Sequence, residues 1–237
     1  MRDRVRIVLV ETSHPGNIGA AARAMKNMDL DELWLVAPKS FPDVEATARA
    51  SGAQDILESA RVVESLDEAI AGCAVVAGTS ARLRRLAWPE ITPRECATLI
   101  RELPGDVSTA IIFGREKTGL TNDEMDRCSH MLSIPANPEY SSLNLAAAVQ
   151  IVGYELFDSK ASRKSVEEPE SPPATADELE RYYAHLESVM VEIGFLNPDN
   201  PRHLMRRIRR LHNRAGLDQN EVNILRGILT AVQKKWS

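Results

Sequence analysis

No stretch of this 237-residue chain approaches the ~20 consecutive apolar residues needed to cross a bilayer. The chain opens Met-Arg-Asp-Arg and enters a short Val/Ile/Leu run, which is not the pattern of a secretory leader. Cysteine is scarce: Cys73, Cys96 and Cys128 are odd in number and widely spaced. Neither a disulfide framework nor a zinc site is expected from them, and a reducing, cytoplasmic compartment fits. No His/Cys/Asp/Glu cluster has metal-ligand spacing, so no metal is expected. An excess of positive charge is missing too. The net charge of −5 excludes a uniformly basic nucleic-acid coat and leaves any such affinity to local patches. Neither GxGxxG nor GxxxxGK[ST] occurs, which weakens a nicotinamide-binding or P-loop reading.

What the chain does have is a core. Its hydrophobic fraction of 43% suffices for one large domain, or one domain plus a small one, and 27% charged residues cover the surface. Apolar, β-rich runs recur at 5–10, 33–36, 61–63, 74–77, 109–113 and 131–134. Between most of them lie helical patterns at 17–28, 45–51, 66–70, 93–103 and 122–127. This alternation predicts an α/β fold with a mainly parallel sheet and helices on both faces. Near-continuous apolar strands such as 7–10 are what a doubly covered sheet requires. Residues 158–176 are polar and Pro-rich and read as a linker. Three helices are expected beyond it, at 176–192, 201–215 and 218–236, punctuated by Gly194, Asn197-Pro198 and Gly216.

Three strand-to-helix junctions concentrate the unusual residues. In 134–149 (IPANPEYSSLNLAAAV), Pro135 and Pro138 cannot donate to a ladder, so strand character ends near Ile134. Ser141 or Ser142 is then a candidate cap for a helix from about 143 to 157. Such a junction offers free backbone groups to a small polar ligand, although an ordinary βα turn has the same pattern. In 8–25 (VLVETSHPGNIGAAARAM), Asn17 is a candidate helix cap, and Ile18, Ala21, Ala22, Met25 and Met28 form the apolar stripe. Arg23 projects off that stripe, where an arginine serves solubility as readily as a ligand. In 111–122 (IIFGREKTGLTN), Gly114 allows close backbone approach or positive φ directly after a strand, the place where open α/β sheets bind ligands. Glu116 reads most simply as a surface ion-pair partner of Arg115 or Lys117. A further loop, 78–85 (GTSARLRR), sets Arg82, Arg84 and Arg85 behind Thr79-Ser80-Ala81.

In order and spacing these segments resemble the three motifs of the SPOUT superfamily of RNA methyltransferases, over roughly residues 1–157. The match is closest to the branch that methylates the ribose 2′-hydroxyl of tRNA anticodon-loop nucleotide 32. The resemblance implies S-adenosyl-L-methionine as cofactor, held by Thr79, Ser80, Ala81, Gly114, Ile134, Ser141, Ser142, Leu143 and Asn144. It implies a catalytic role for Arg23 beside the target 2′-hydroxyl and a phosphate. It implies a C-terminal trefoil knot, formed as the chain after Ile134 threads an earlier loop, and a homodimer with active sites at the subunit interface. The substrate it implies is tRNA, at cytidine or uridine 32. Another tRNA position, ribosomal RNA, or an RNA-binding module without catalysis are the alternatives.

Beyond the linker, residues 177–237 form a small all-α extension. No acidic residue lies between Asp199 and Asp218, whereas six arginines do. At about 100° per residue, Arg202, Arg206, Arg209 and Arg210 share a face, with Leu204, Ile208 and Leu211 on another. A basic helical face suits an RNA backbone, as do Arg82, Arg84 and Arg85. A packed helical hairpin whose arginines pair with Glu187, Glu192 and other acids upstream is the alternative. The family carries an RNA-binding helical extension here, which favours RNA.

Overall fold

The computed structural model describes residues 5–81, 89–104, 107–160, 171–201 and 203–236. Its strands are β1 (Val5–Val10), β2 (Glu32–Val36), β3 (Arg61–Val63), β4 (Cys73–Thr79), β5 (Glu90–Ile91), β6 (Ser108–Phe113) and β7 (His130–Leu132). They form one sheet in the order β3-β2-β1-β6-β4-β7-β5, with every pairing parallel. Its helices are α1 (Pro15–Asn27), α2 (Val44–Ala50), α3 (Gln54–Glu58), α4 (Leu66–Ile70), α5 (Pro93–Glu102), α6 (Asn122–Asp126), α7 (Leu145–Lys160), α8 (Ala176–Glu192), α9 (Leu204–Ala215) and α10 (Gln219–Trp236).

The period of two in each strand divides the core. Val5, Ile7 and Leu9 of β1 enter one cluster with α1, α2, α3, α5 and α7, while Val8 and Val10 enter the other with α4 and α6. Ile111 and Phe113 of β6 go to the first face, Ala110 and Ile112 to the second. A sheet buried on both faces needs such runs, and each fully buried aliphatic or aromatic chain contributes about 1.5–3 kcal/mol. The extension has its own core of Tyr182, Tyr183, Val189, Val222 and Leu229. It also docks on the sheet: Ala176 of α8 joins the second cluster, and Asp177 accepts the Gly72 N–H at 3.1 Å. In α8 and α10, Glu178 meets Gln219 at one end and Glu192 meets Gln233 at the other, so the two helices run parallel.

Expected and observed elements differ at four places. β5, of two residues, and α3, of five, were not expected. α1 starts at Pro15, so Asn17 lies inside its first turn and is not the cap; His14 holds that position without a side-chain cap bond. β7 ends at Leu132, and α7 is capped not by Ser141 or Ser142 but by Asn144. The Asn144 Oδ1 accepts the Ala146 N–H at 2.9 Å and the Ala147 N–H at 3.4 Å. α7 continues to Lys160, inside the stretch expected to be linker, and Ser171 and Ala174 near its end are buried.

Candidate active site

A cleft opens at the C-terminal ends of β4, β6 and β7. Thr79, Ser80 and Ala81 reach it from β4, Gly114 from β6, and Ile134, Ser141, Ser142 and Leu143 from the segment between β7 and α7. These eight residues come from three loops, and they are the ones the motifs single out. Asn144 does not line the cleft; it stands behind it as the α7 cap.

Backbone geometry shapes the walls. The Thr79 hydroxyl donates to the Ile112 carbonyl at 2.9 Å, and the Ser80 N–H to the Leu132 carbonyl at 3.0 Å, which tie the β4 end to β6 and β7. Of the two readings open for Gly114, close approach holds: a Cβ there would lie 2.3 Å from the Gly119 carbonyl carbon and 2.4 Å from the Leu120 nitrogen. Gly119 takes φ +68°, and its N–H donates to the Arg115 carbonyl at 2.8 Å, closing a tight loop over 115–119.

Two polar networks hold this loop. In the first, the Glu116 carboxylate accepts the Ser13 N–H (3.2 Å), the Ser13 hydroxyl (2.9 Å), the His14 N–H (3.3 Å) and the Asn17 Nδ2 (3.1 Å). It is thus an anion at the N-terminus of α1, where the helix dipole favours one, and not a surface partner of Arg115 or Lys117. Burial pushes its pKa up, but the donors from Asn17 and Ser13 outweigh this and bring it down to about 2. The Asn17 Oδ1 in turn accepts the Asn144 Nδ2 at 3.1 Å. One polar residue from each of the three motif segments therefore joins a single chain of bonds.

The second network centres on Arg115. Its Nε donates to Glu11 at 3.0 Å, Nη2 also contacts Glu11, and Nη1 and Nη2 donate to Glu124 at 3.0 and 2.9 Å. The hydrogen bond from Arg115 holds the Glu11 carboxyl below its usual range. For Glu124, burial raises the pKa, yet the donors from Arg115 and the Thr121 N–H leave it lowered. The sequence offered one clue to this cluster, the T-x-x-E capping box at Thr121 and Glu124.

The remaining candidates sit elsewhere. Arg23 is exposed on α1 and is not part of the cleft lining; among the described residues no carboxylate pairs with it. Arg82, Arg84, Arg85 and Arg202 lie outside the described residues. Arg206 donates to Asp126 at 2.6 Å and lies 3.5 Å from Asp123. Arg209 pairs with Glu180 while its guanidinium covers the Tyr183 ring at 4.3 Å. For these two arginines the alternative holds, pairing with acids upstream, and the acids used are Asp123, Asp126 and Glu180 instead of Glu187 or Glu192. Arg210 is half-buried, whereas Arg207, Leu211 and Arg214 face outward, so the exposed face of α9 is turned from the one expected. Periodicity separates the faces of a helix, but acids on neighbouring helices decide which face turns inward.

Residues 4–154 match the SpoU rRNA Methylase family, and residues 177–237 match the C-terminal domain of the tRNA methyltransferase TrmJ. The chain is 56% identical to the tRNA (cytidine/uridine/adenosine-2′-O-)-methyltransferase TrmJ of Pseudomonas aeruginosa, covering 99% of this chain and 95% of that one. It is 50% identical to the tRNA (cytidine/uridine-2′-O-)-methyltransferase TrmJ of Pectobacterium atrosepticum, covering 99% and 98%. The crystal structure of TrmJ from Z. mobilis ZM4 superimposes with a TM-score of 0.84 at 37% identity, over 96% of this chain and 98% of that one.

Proposed function

Because the chain belongs to the SpoU rRNA methylase family and aligns over its full length with TrmJ tRNA 2′-O-methyltransferases, we propose that it methylates the ribose 2′-hydroxyl of cytidine or uridine 32 in the tRNA anticodon loop, with S-adenosyl-L-methionine as donor. The observation that carries this reading is the meeting of three motif loops in one cleft at the strand ends. The lining fits such a donor. Ile134, Leu143 and Leu145 offer apolar contact, the 114–119 loop offers backbone groups at close range, and the glycines leave room for them. When bound, S-adenosylmethionine supplies an activated methyl group, with the ribose 2′-oxygen as acceptor. The protein's part is to orient the two.

Arg23 is the residue we assign to the RNA side of the reaction. A guanidinium does not give up its proton in proteins, so its role is to donate: it grips a phosphate and aligns the 2′-hydroxyl. Its position outside the cleft of its own chain fits delivery to the cleft of a second copy. A homodimer is further supported by exposed Ile151, Tyr154 and Phe157 on α7 and by Tyr140 near the cleft mouth. Residues 1–157 act in this reading as the methyltransferase domain, 158–176 as linker and 177–237 as RNA-binding extension; the trefoil knot belongs to it as well. RNA phosphates are met by Arg82, Arg84 and Arg85 and by the arginines of 202–214. With Arg206 and Arg209 engaged by carboxylates, Arg207, Arg210 and Arg214 are the better placed on α9.

The test is methyl transfer from S-adenosylmethionine to unmodified tRNA transcripts carrying C, U or A at nucleotide 32, followed by mapping of the product. The expected result is 2′-O-methylation at 32 for C and U. The inclusion of A follows the P. aeruginosa relative, whose name extends to adenosine. Methylation elsewhere overturns the position, and donor binding without transfer to any tRNA overturns the substrate class.

A further inference from the structure

The Arg115 side chain does something the glycines and backbone groups of its loop do not. It reaches two carboxylates from distant parts of the chain: Glu11, at the turn after β1, and Glu124, in the first turn of α6. Its Nη1 also approaches the Gly119 carbonyl at 3.4 Å, while its own carbonyl accepts the Gly119 N–H. The guanidinium therefore closes loop 115–119 on itself and fastens it both to the sheet and to α6. Arg115, Lys117, Thr118 and Gly119 of that loop form one wall of the cleft.

Neither anchor is loose. Glu124 reaches back to the Thr121 N–H at 2.7 Å, and the Glu11 N–H donates to the Val36 carbonyl at 2.8 Å from a left-handed backbone with φ 45°. Exposed ion pairs contribute little, but side-chain exposures of 21% for Arg115 and 16% for Glu124 withdraw that pair from solvent, with Glu11, at 44%, the more exposed anchor. A forked, five-donor cation can face two carboxylates at once with fixed geometry; a lysine ammonium cannot.

We infer that Arg115 is a positioning residue for the donor-binding loop: by bridging Glu11 and Glu124 it holds 115–119 in the shape the methyl donor meets. It does so without touching the reacting atoms. The inference rests on the reading of the cleft as the S-adenosylmethionine site. Its consequence is a loop ordered before any ligand arrives, so that loosening the fork weakens donor binding more than it slows turnover at saturating donor.

Three variants test it: Arg115→Gln, Arg115→Lys and Glu11→Gln. The measurements are S-adenosylmethionine affinity by titration calorimetry, amide hydrogen exchange over 115–120 without ligand, and methyl transfer at varied donor concentration. Arg115→Gln is expected to weaken donor binding by about tenfold or more, with Arg115→Lys intermediate because charge returns without the fork. Exchange in the loop should quicken while β1 and β6 stay protected, and the KM for donor should rise by a larger factor than kcat falls. Affinity and loop exchange both within about twofold of the parent in folded Arg115→Gln overturn the inference. Should that variant not fold, Glu11→Gln decides on the same readouts: weaker binding with faster loop exchange supports it, and no change overturns it. A parent protein that binds no S-adenosylmethionine overturns the donor-site reading together with this inference; parent binding with unaltered variants overturns this inference alone.

Discussion

Short helix α6 serves two regions that use the same chemistry to different ends. On the cleft side, Glu124 shares Arg115 with Glu11; on the outer side, Asp123 and Asp126 meet Arg206 of α9. The first cluster positions a glycine-hinged loop within one domain. The second docks the extension, and one of its acids, Asp123, is 96% exposed. An arginine between carboxylates thus has no fixed worth. Each arginine is largely buried against one carboxylate, Glu124 or Asp126, and the clusters differ in the second: Glu11, 44% exposed, still helps to fix geometry, whereas the solvated Asp123 mainly selects an orientation.

The comparison breaks most visibly at the residue belonging to neither cluster. Arg23→Ala is expected to abolish methyl transfer while S-adenosylmethionine still binds, because Arg23 lies off the donor cleft. Parallel titrations and transfer assays check this, and normal turnover would sink the assignment. Next is Gly114→Ala. Its new Cβ meets backbone at 2.3 Å, which no side-chain motion relieves, so the loop must shift at a cost of about 1–3 kcal/mol. Donor affinity should fall by more than about tenfold, and unaltered binding would show that the loop does not form the donor wall.

Arg206→Ala probes the other side of α6 with a smaller effect. Removing the guanidinium leaves Asp126, 19% exposed, without its partner, for about 1–2 kcal/mol of stability after discounting for solvent. Burial already raises the Asp126 pKa, opposed by Arg206, so the variant raises it further. A carboxyl whose folded pKa lies above its unfolded value favours the fold at low pH and opposes it once pH rises through the folded pKa. The deficit in Tm should therefore be largest near neutrality and shrink on acidification through the carboxylate range. A pH-independent deficit contradicts this account of the pair.

How far the sequence spoke differs between the regions in the same way. The sheet was legible because both its faces are buried, so runs such as 5–10 and 109–113 stand out without knowledge of their partners. Eight cleft residues were legible through the family motifs, with Gly114 also marked by its place after a strand. The bonds that hold the loop were not, since Glu116 and Ser13 stand 103 positions apart and nothing local records their meeting. For the same reason Asn17 and Ser142 looked like caps. The favoured cap residues occur in clusters, and only the fold decides which is used and which is diverted to a distant carboxylate. α9 is the extreme case: its arginines were visible, but their orientation depends on Asp126 and Glu180, which belong to other helices.

That orientation yields the smallest and most discriminating expectation. Arg207 and Arg214 point outward on α9 and Arg206 points to α6, so RNA affinity and stability should separate cleanly between them. The double variant Arg207→Ala/Arg214→Ala is expected to keep its Tm, since exposed substitutions stay within about 0.5 kcal/mol. It should bind tRNA several-fold more weakly, and the slope of log affinity against log salt should fall by about one per lost phosphate contact. Arg206→Ala, docked against acids, should lose Tm first and tRNA affinity only through the displaced extension. If instead the double variant binds tRNA like the parent while Arg206→Ala loses both affinity and salt slope, the ion pairs with Asp123 and Asp126 open on binding. The face that periodicity marks at Arg206, Arg209 and Arg210 is then the one the RNA meets.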